Sequence, residues 1–500
     1  MRPRTLVPLL LVLSAACGGG SSSPAACTPS DGGALGCSPS EKPVGTSTAA
    51  APLGVQLLGH QQVGTSVPFT VPAGTASLTI VEQAVSALDS VTVDCTPLDN
   101  VAVPALVEVG GKTLYDDTRD DGSFSGAPTD PTAIENLPAF FFSDSPSTGT
   151  LTIPNSTGGL ALVAQGGGLP SGQGTLVVSD YAFACSNISG CSGGSTSGVY
   201  DVTVLTKPLV NGGIPSQVTL DLNVYFVATS ACITAHNCPA LSQNTASSDV
   251  DLTRMKSTLA TLLGNAGVSL GAVQFLDAPS TVQSAYTAGV DIPEVTGGSA
   301  CAPLEQLLKN AGPGNTMNIF LVPFITLSGS GLGAGEQVVG VDGTIPGPAT
   351  IGGTVASGAI VSVEDLRVGE GNCTGSSPVL NLTANVCGAD ITAYVIAHET
   401  GHFLGLYHVT EADGTEFDPL AGTSRCTCSQ CAPLGSRSRC GDGTATQYQM
   451  QVSDCLAALP NAASGCGGGD DLMFWLLDDG AKGTLTADQQ SVIHANPLVH

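Results

Sequence analysis

Charge is scarce in this 500-residue chain: Asp, Glu, Lys and Arg together make 11% of it, too few for the flanking charge pairs of a long coiled coil. Basic residues are scarcer still, 14 against 41 acidic ones, and the formal net charge of −27 repels polyphosphate. Nucleic acid is thereby excluded as a partner. Aromatics are only 4%, with a single Trp, so any core rests on aliphatic and β-branched side chains. Beyond the N-terminus no apolar run approaches the roughly 20 residues of a membrane helix. The best, Met317 to Leu327, contains Pro323 and reads as a buried strand. In place of these stand 64 Gly and 32 Pro, a composition of strands and turns, and 17 Cys, which point to an oxidising compartment.

The first residues read as an export signal over 1–16: Arg2 and Arg4, an apolar stretch from Leu6 to Leu13, then Ser14-Ala15-Ala16. Cys17, followed by Gly18 to Ser23, resembles the start of a bacterial lipoprotein, which makes Cys17 the expected lipidation site and the membrane a partner. Setting Cys17 aside leaves sixteen cysteines, a number that can pair completely. Ser14 stands where that pattern usually has Leu, so ordinary cleavage after Ala16 and secretion is the alternative. Residues 17–50 are Gly, Ser, Pro, Thr and Ala, a flexible tether in which Cys27 and Cys37 can close a loop.

From 51 to 207 short β-branched runs alternate with turn residues, which predicts an antiparallel β-sandwich. The runs are Ser66–Val71, Ala76–Val81, Ser90–Val93, Val101–Val109, Gly149–Ile153, Leu160–Ala164, Thr175–Val178 and Val199–Thr206. Asp116 to Gly122 offers carboxylates to Ca2+, but it lacks EF-hand spacing and reads better as a solvated hairpin loop. From 208 to 500 strands and helices alternate, and an α/β (α+β) domain is expected. Its strands are Val218–Val227, Val268–Leu276, Met317–Phe324, Gly335–Val341 and Ala359–Val363, with helices at Val250–Leu263 and from about Asp390. A Thr486/Gln489 capping box opens a last helix.

Three of the seven histidines fall within the eleven residues His398-Glu399-Thr400-Gly401-His402-Phe403-Leu404-Gly405-Leu406-Tyr407-His408. Residues four apart share one helical face, so His398 and His402 can direct ring nitrogens at one ion. Gly405 permits a positive φ that turns the chain and returns His408 as third ligand. Three imidazoles suit Zn2+ with a position left for water, and Glu399 between them is placed to accept the proton of that water.

His398 to His408 has the H-E-x-x-H-x-x-G-x-x-H pattern of the metzincin metalloproteases, and Asp471-Leu472-Met473-Phe474-Trp475 looks like their Met-turn. The resemblance is to the pappalysin-like metzincins of bacteria, including secreted myxobacterial forms, over about residues 210 to 500. It implies a zinc protease fold, one catalytic Zn2+, Met473 supporting the histidines without binding metal, and protein or peptide substrates. The sandwich region resembles modules that accompany secreted bacterial peptidases. Two features depart from the family: a long interval between His408 and Met473, and Ala421-Gly422 after Asp418-Pro419-Leu420 where relatives often carry a further Asp.

That interval holds Cys426, Cys428, Cys431, Cys440, Cys455 and Cys466. A second zinc site is an alternative there, but an exported chain favours disulfides. Cys373 with Cys387, and Cys232 with Cys238, are expected local pairs. Arg425, Arg437 and Arg439 gather in the same insertion, where they either favour acidic substrate side chains or sit on a solvated loop. Asp413 to Glu416 is a weaker candidate for Ca2+ or substrate contact, and His60, His236, His494 and His500 lack ligand spacing. The function expected is a zinc-dependent endopeptidase of extracellular proteins with Glu399 as general base. The competing expectation is a surface-binding lipoprotein with a vestigial zinc domain.

Overall fold

The computed structural model describes residues 4–5, 53–85, 100–102, 104–116, 148–185, 191–194, 198–229, 240–293, 303–312, 314–328, 338–373, 380, 382, 385–415, 417–441, 447–456 and 466–500. The tether with Cys17, Cys27 and Cys37, most of Asp116 to Gly122, Ser90–Val93, Cys232, Cys238, His236 and Glu416 lie outside the described residues.

Among the described residues the first half holds a small three-stranded sheet of Asn100–Ala102, Asp180–Cys185 and Cys191–Gly194 and two antiparallel four-stranded sheets. One has the order β1 (Gly54–Gln62), β8 (Val199–Pro208), β3 (Thr75–Ala84), β6 (Thr148–Ile153). The other has the order β2 (Ser66–Val71), β7 (Gly172–Val177), β4 (Leu106–Val109), β5 (Lys112–Asp116). Alternation along β2 turns Val67, Phe69 and Val71 inward while their neighbours face water. They close one core with Leu78, Ile80, Val107, Leu151, Leu176 and Val204 from the other strands. The aliphatic makeup follows from the shortage of aromatics.

One expected strand is corrected: Leu160–Ala164 lies inside helix α1 (Thr157–Gly166). Its ends explain why. The Ser156 hydroxyl accepts the Gly159 N–H, and Gly167 closes the helix in the left-handed region at φ +64°. A five-residue apolar run fits either period, so these caps decide. The run Val101–Val109 is likewise divided, into Asn100–Ala102 and β4, at Pro104, which has no N–H to give a ladder.

The second half centres on a five-stranded sheet of order β10 (Val268–Asp277), β9 (Val218–Phe226), β11 (Thr316–Val322), β13 (Ala359–Ser362), β12 (Gly340–Asp342). The first four are parallel and β12 is an antiparallel edge. The chain leaves β9 for β10 on one side and then returns to place β11 on the other, which puts the two connections on opposite faces. Side chains follow: Val224 and Phe226 enter one core with Met255, Leu259 and Leu262 of α2 (Val250–Asn265), whereas Tyr225 and Val227 enter another with Leu304 and Leu307. The expected strand Met317–Phe324 ends at Val322, and a separate strand, Ile325–Ser328, follows Pro323.

Helix α3 (Gly388–Phe403) packs on α2 and crosses β12 and β13. Gly388 starts it because a Cβ there would strike the carbonyl of Asp365. Asp390 in the first turn holds Arg254 of α2 through two bonds of 2.7 Å, a bidentate pair at the positive end of the helix dipole. The last helix, α4 (Ala487–Ala495), opens with Thr486 and Gln489 as an observed capping box.

Candidate metal centre

Helix α3 carries His398 and His402 one turn apart, both fully buried. The helix ends at Phe403, and Gly405 takes φ +106°, a value costly for any side chain, which redirects the chain so that His408 returns to the first two. The Nε2 atoms of His402 and His398 lie 3.0 Å apart and those of His398 and His408 3.2 Å apart. Among the described residues this is the one group of three or more His, Cys, Asp or Glu side chains close enough to hold an ion.

The other ring nitrogens fix the tautomers. His398 Nδ1 donates to the carbonyl of Leu472 at 2.7 Å, and His402 Nδ1 to that of Leu406 at 2.8 Å. His408 Nδ1 meets Oε2 of Glu411 at 3.1 Å. With each Nδ1 facing an acceptor, its proton sits there and the Nε2 lone pair points inward. Burial, and the neighbouring His408, push the pKa of His398 down to about 3; burial does the same to His408. His402 is driven well below the ordinary imidazole value by burial and by both neighbours. Three neutral lone pairs therefore converge with no hydrogen between them, an arrangement that repels itself unless a cation joins it. The donor set fits a divalent metal that takes nitrogen ligands.

Glu399 is fully buried beside this group, and among the described residues neither carboxylate oxygen has a hydrogen bond of good geometry. Burial drives its pKa well above the ordinary carboxylate range, opposed only by the backbone N–H of Asp342. Gly340 on β12 makes the room, since a Cβ there would collide with the Glu399 carboxylate. Asp342 on the same edge strand is a second buried carboxylate, its pKa raised by burial and by Glu399 against the backbone N–H groups of Gly343 and Thr344. Both oxygens of Glu399 remain available to a proton or a ligand.

Met473 is completely buried beneath α3, where its sulfur would lie 2.5 Å from a Cβ placed on Gly401. The turn that carries it is tied to the ligands on both sides. Leu472 supplies the carbonyl on His398, and the Val409 N–H donates to the Met473 carbonyl at 3.0 Å. Asp471 Oδ1 accepts the Met473 N–H at 2.8 Å and a Gln489 amide hydrogen at 3.2 Å.

The long insertion before this turn is cross-linked by Cys426–Cys455, Cys428–Cys440 and Cys431–Cys466, and Cys373–Cys387 pairs just ahead of α3 as expected. These four disulfides indicate an oxidising compartment, and the six clustered cysteines are spent on bridges rather than on a second ion. The insertion's arginines serve its own structure: Arg437 Nε donates to Ala432 O at 2.8 Å, Arg439 stacks 5.5 Å above Tyr448, and Arg425 5.8 Å above Phe417. Asp413 Oδ1 accepts the N–H and hydroxyl of Thr415, as in an ordinary turn. His494, which lacks ligand spacing, is buried away from the three histidines, its Nε2 donating to Ala266 O at 2.8 Å.

Sequence reasoning missed Glu411, Asp342 and the two supporting carbonyls. Glu411 was within reach of such reasoning, as a carboxylate three residues beyond a ligand; a carbonyl carries no residue signature. No protein-family model matches the chain, and a search of curated proteins finds no relative.

Proposed function

We propose that this chain is a metzincin-like zinc endopeptidase, exported and anchored by a lipid on Cys17, that hydrolyses peptide bonds of extracellular proteins. The observation that carries the reading is the convergence of three deprotonated Nε2 atoms, 3.0 and 3.2 Å apart, beside the buried carboxylate of Glu399. A structural metal site would call for a fourth protein ligand and has no use for Glu399. His398, His402 and His408 would hold the ion. A zinc ion held by three neutral imidazoles supplies Lewis acidity that makes water a nucleophile near neutral pH.

The chain's own groups do the rest. Glu399 Oε takes the proton of the attacking water and returns it to the leaving amine, the role for which its place beside the three histidines suits it. The Nδ1 bonds to Leu472, Leu406 and Glu411 keep the imidazoles neutral and oriented. Among the described residues β12 is the outermost strand of its sheet, and its edge next to Glu399 would offer backbone groups to an extended peptide.

The test is chelator-sensitive casein hydrolysis by the full chain. Glu399→Gln should retain stoichiometric zinc by elemental analysis and lose at least about 10²-fold in rate, the usual contribution of a positioned base. Casein cleavage by Glu399→Gln at the wild-type rate would sink the mechanism. A metal-loaded protein inert towards peptide libraries would instead favour a binding lipoprotein.

A further inference from the structure

The sandwich and the metal-binding half meet where β8 ends. Lys207, in that strand, is buried, and its Nζ donates to the carbonyls of His494 at 2.7 Å, Asn496 at 2.9 Å and Val499 at 2.8 Å. Burial pushes the lysine pKa down to about 7, yet three acceptors require three donated hydrogens, which only the ammonium supplies. His494 lies in the last turn of α4, where unpaired carbonyls make the negative end of the helix and a cation is favoured. Ser77 of β3 adds a hydroxyl bond to the carbonyl of Ala495.

The sandwich also holds the other end of that helix. The Thr157 hydroxyl, at the start of α1, donates to Asp488 Oδ2 at 2.7 Å in the first turn of α4. The Thr157 hydroxyl oxygen in turn accepts the Ala421 N–H at 2.8 Å, and the Thr157 N–H donates to Pro419 O at 3.3 Å.

From here a short path leads to the metal ligands. Asn496, whose carbonyl Lys207 grips, is fully buried, and its side-chain amide donates to the carbonyl of Leu404 at 3.2 Å while its Oδ1 accepts the Leu498 N–H at 2.8 Å. Leu404 opens the turn through Gly405 to Leu406, whose carbonyl orients His402. That turn also delivers the chain to His408.

We propose that Lys207 is a positioning residue for the metal site, acting through Asn496 on the Leu404–Leu406 turn, and that the sandwich is a permanent part of the metal unit rather than a removable propeptide. The inference rests on reading the three histidines as metal ligands, and it is independent of whether the protein cleaves peptides.

Metal affinity of the full chain, measured by competition for Zn2+ against a chromophoric chelator alongside the denaturant midpoint, tests it. Lys207→Met and Asn496→Ala should each weaken zinc binding by about 10-fold or more, the range seen when outer-shell partners are removed. Lys207→Arg, which keeps charge and donors, should recover most of the loss, and the double variant should bind no worse than the weaker single one because both act on one path. Unchanged affinity in a folded but less stable Lys207→Met would reduce the lysine to a structural clasp and overturn the proposal. Should Lys207→Met fail to fold, Asn496→Ala and Lys207→Arg decide alone. A protease site inserted at the exposed turn Val210–Gly212 tests the second half of the statement. After cleavage the halves should co-elute with zinc bound; release of the sandwich from a metal half of unaltered affinity refutes it.

Discussion

Gly401 and Met473 define the sharpest test of how the ligands are held. An Ala at 401 would place its methyl 2.5 Å from the Met473 sulfur, more than 1 Å inside ordinary contact. Met473 is wholly buried and its backbone is pinned by Asp471 and Val409, so the sulfur has little room to yield. Overpacking of this kind costs about 1–3 kcal/mol, and so deep an overlap belongs at the upper end. Against it stands the helix preference for Ala over Gly, about 1 kcal/mol. The net expectation is that Gly401→Ala destabilises the metal-free protein by about 2 kcal/mol. Met473→Ala alone opens a cavity and costs about 2–5 kcal/mol. In that background the clash is gone and only the helix preference remains, so Gly401→Ala should become stabilising by about 1 kcal/mol. Denaturant unfolding of the four proteins of this cycle, with chelator present so that binding adds nothing, measures the coupling. If Gly401→Ala alone leaves stability equal or higher, Met473 does not sit under the helix and the Met-turn assignment fails.

Glu411→Ala should weaken zinc binding by about 10–100-fold, and Glu411→Gln by less because an acceptor for His408 Nδ1 remains, as chelator competition will read. Asp471 has its pKa raised to about 7, chiefly by burial, so the folded protein holds a proton between about pH 4 and 7 that the unfolded chain releases. Its contribution is therefore complete below that window and lost as pH rises through it. Asp471→Asn should flatten the fall in metal-free stability between pH 5 and 7.5, and an unchanged slope contradicts the assignment. The Cys431–Cys466 bridge spans 35 residues, for which loop closure gives about 4 kcal/mol. Replacing both by Ser should expose the insertion to limited proteolysis at temperatures the native protein resists.

What the sequence discloses and what it conceals divides along a physical line. The ligands were legible because their geometry is local: four residues make one helical turn, and one glycine permits the return to His408. Strands were legible where β-branched runs met turn residues, and the run at Leu160 misled because five apolar residues satisfy either period. The caps Ser156 and Gly167 were in view there and carried the answer. Contacts that hold the ligands in place are of another kind. Leu472 and Leu406 act through carbonyls, which every residue owns. Lys207 reaches Asn496 across 289 positions of chain. A motif of eleven residues thus states which atoms could face an ion, while their affinity for it would be set by partners that only folding brings near. It follows that the eleven residues transplanted onto another helix and turn, without the acceptors at Leu472 and Glu411 or the Asn496 support, would leave the imidazoles free to rotate and change tautomer. Such a graft should bind zinc far more weakly than this chain.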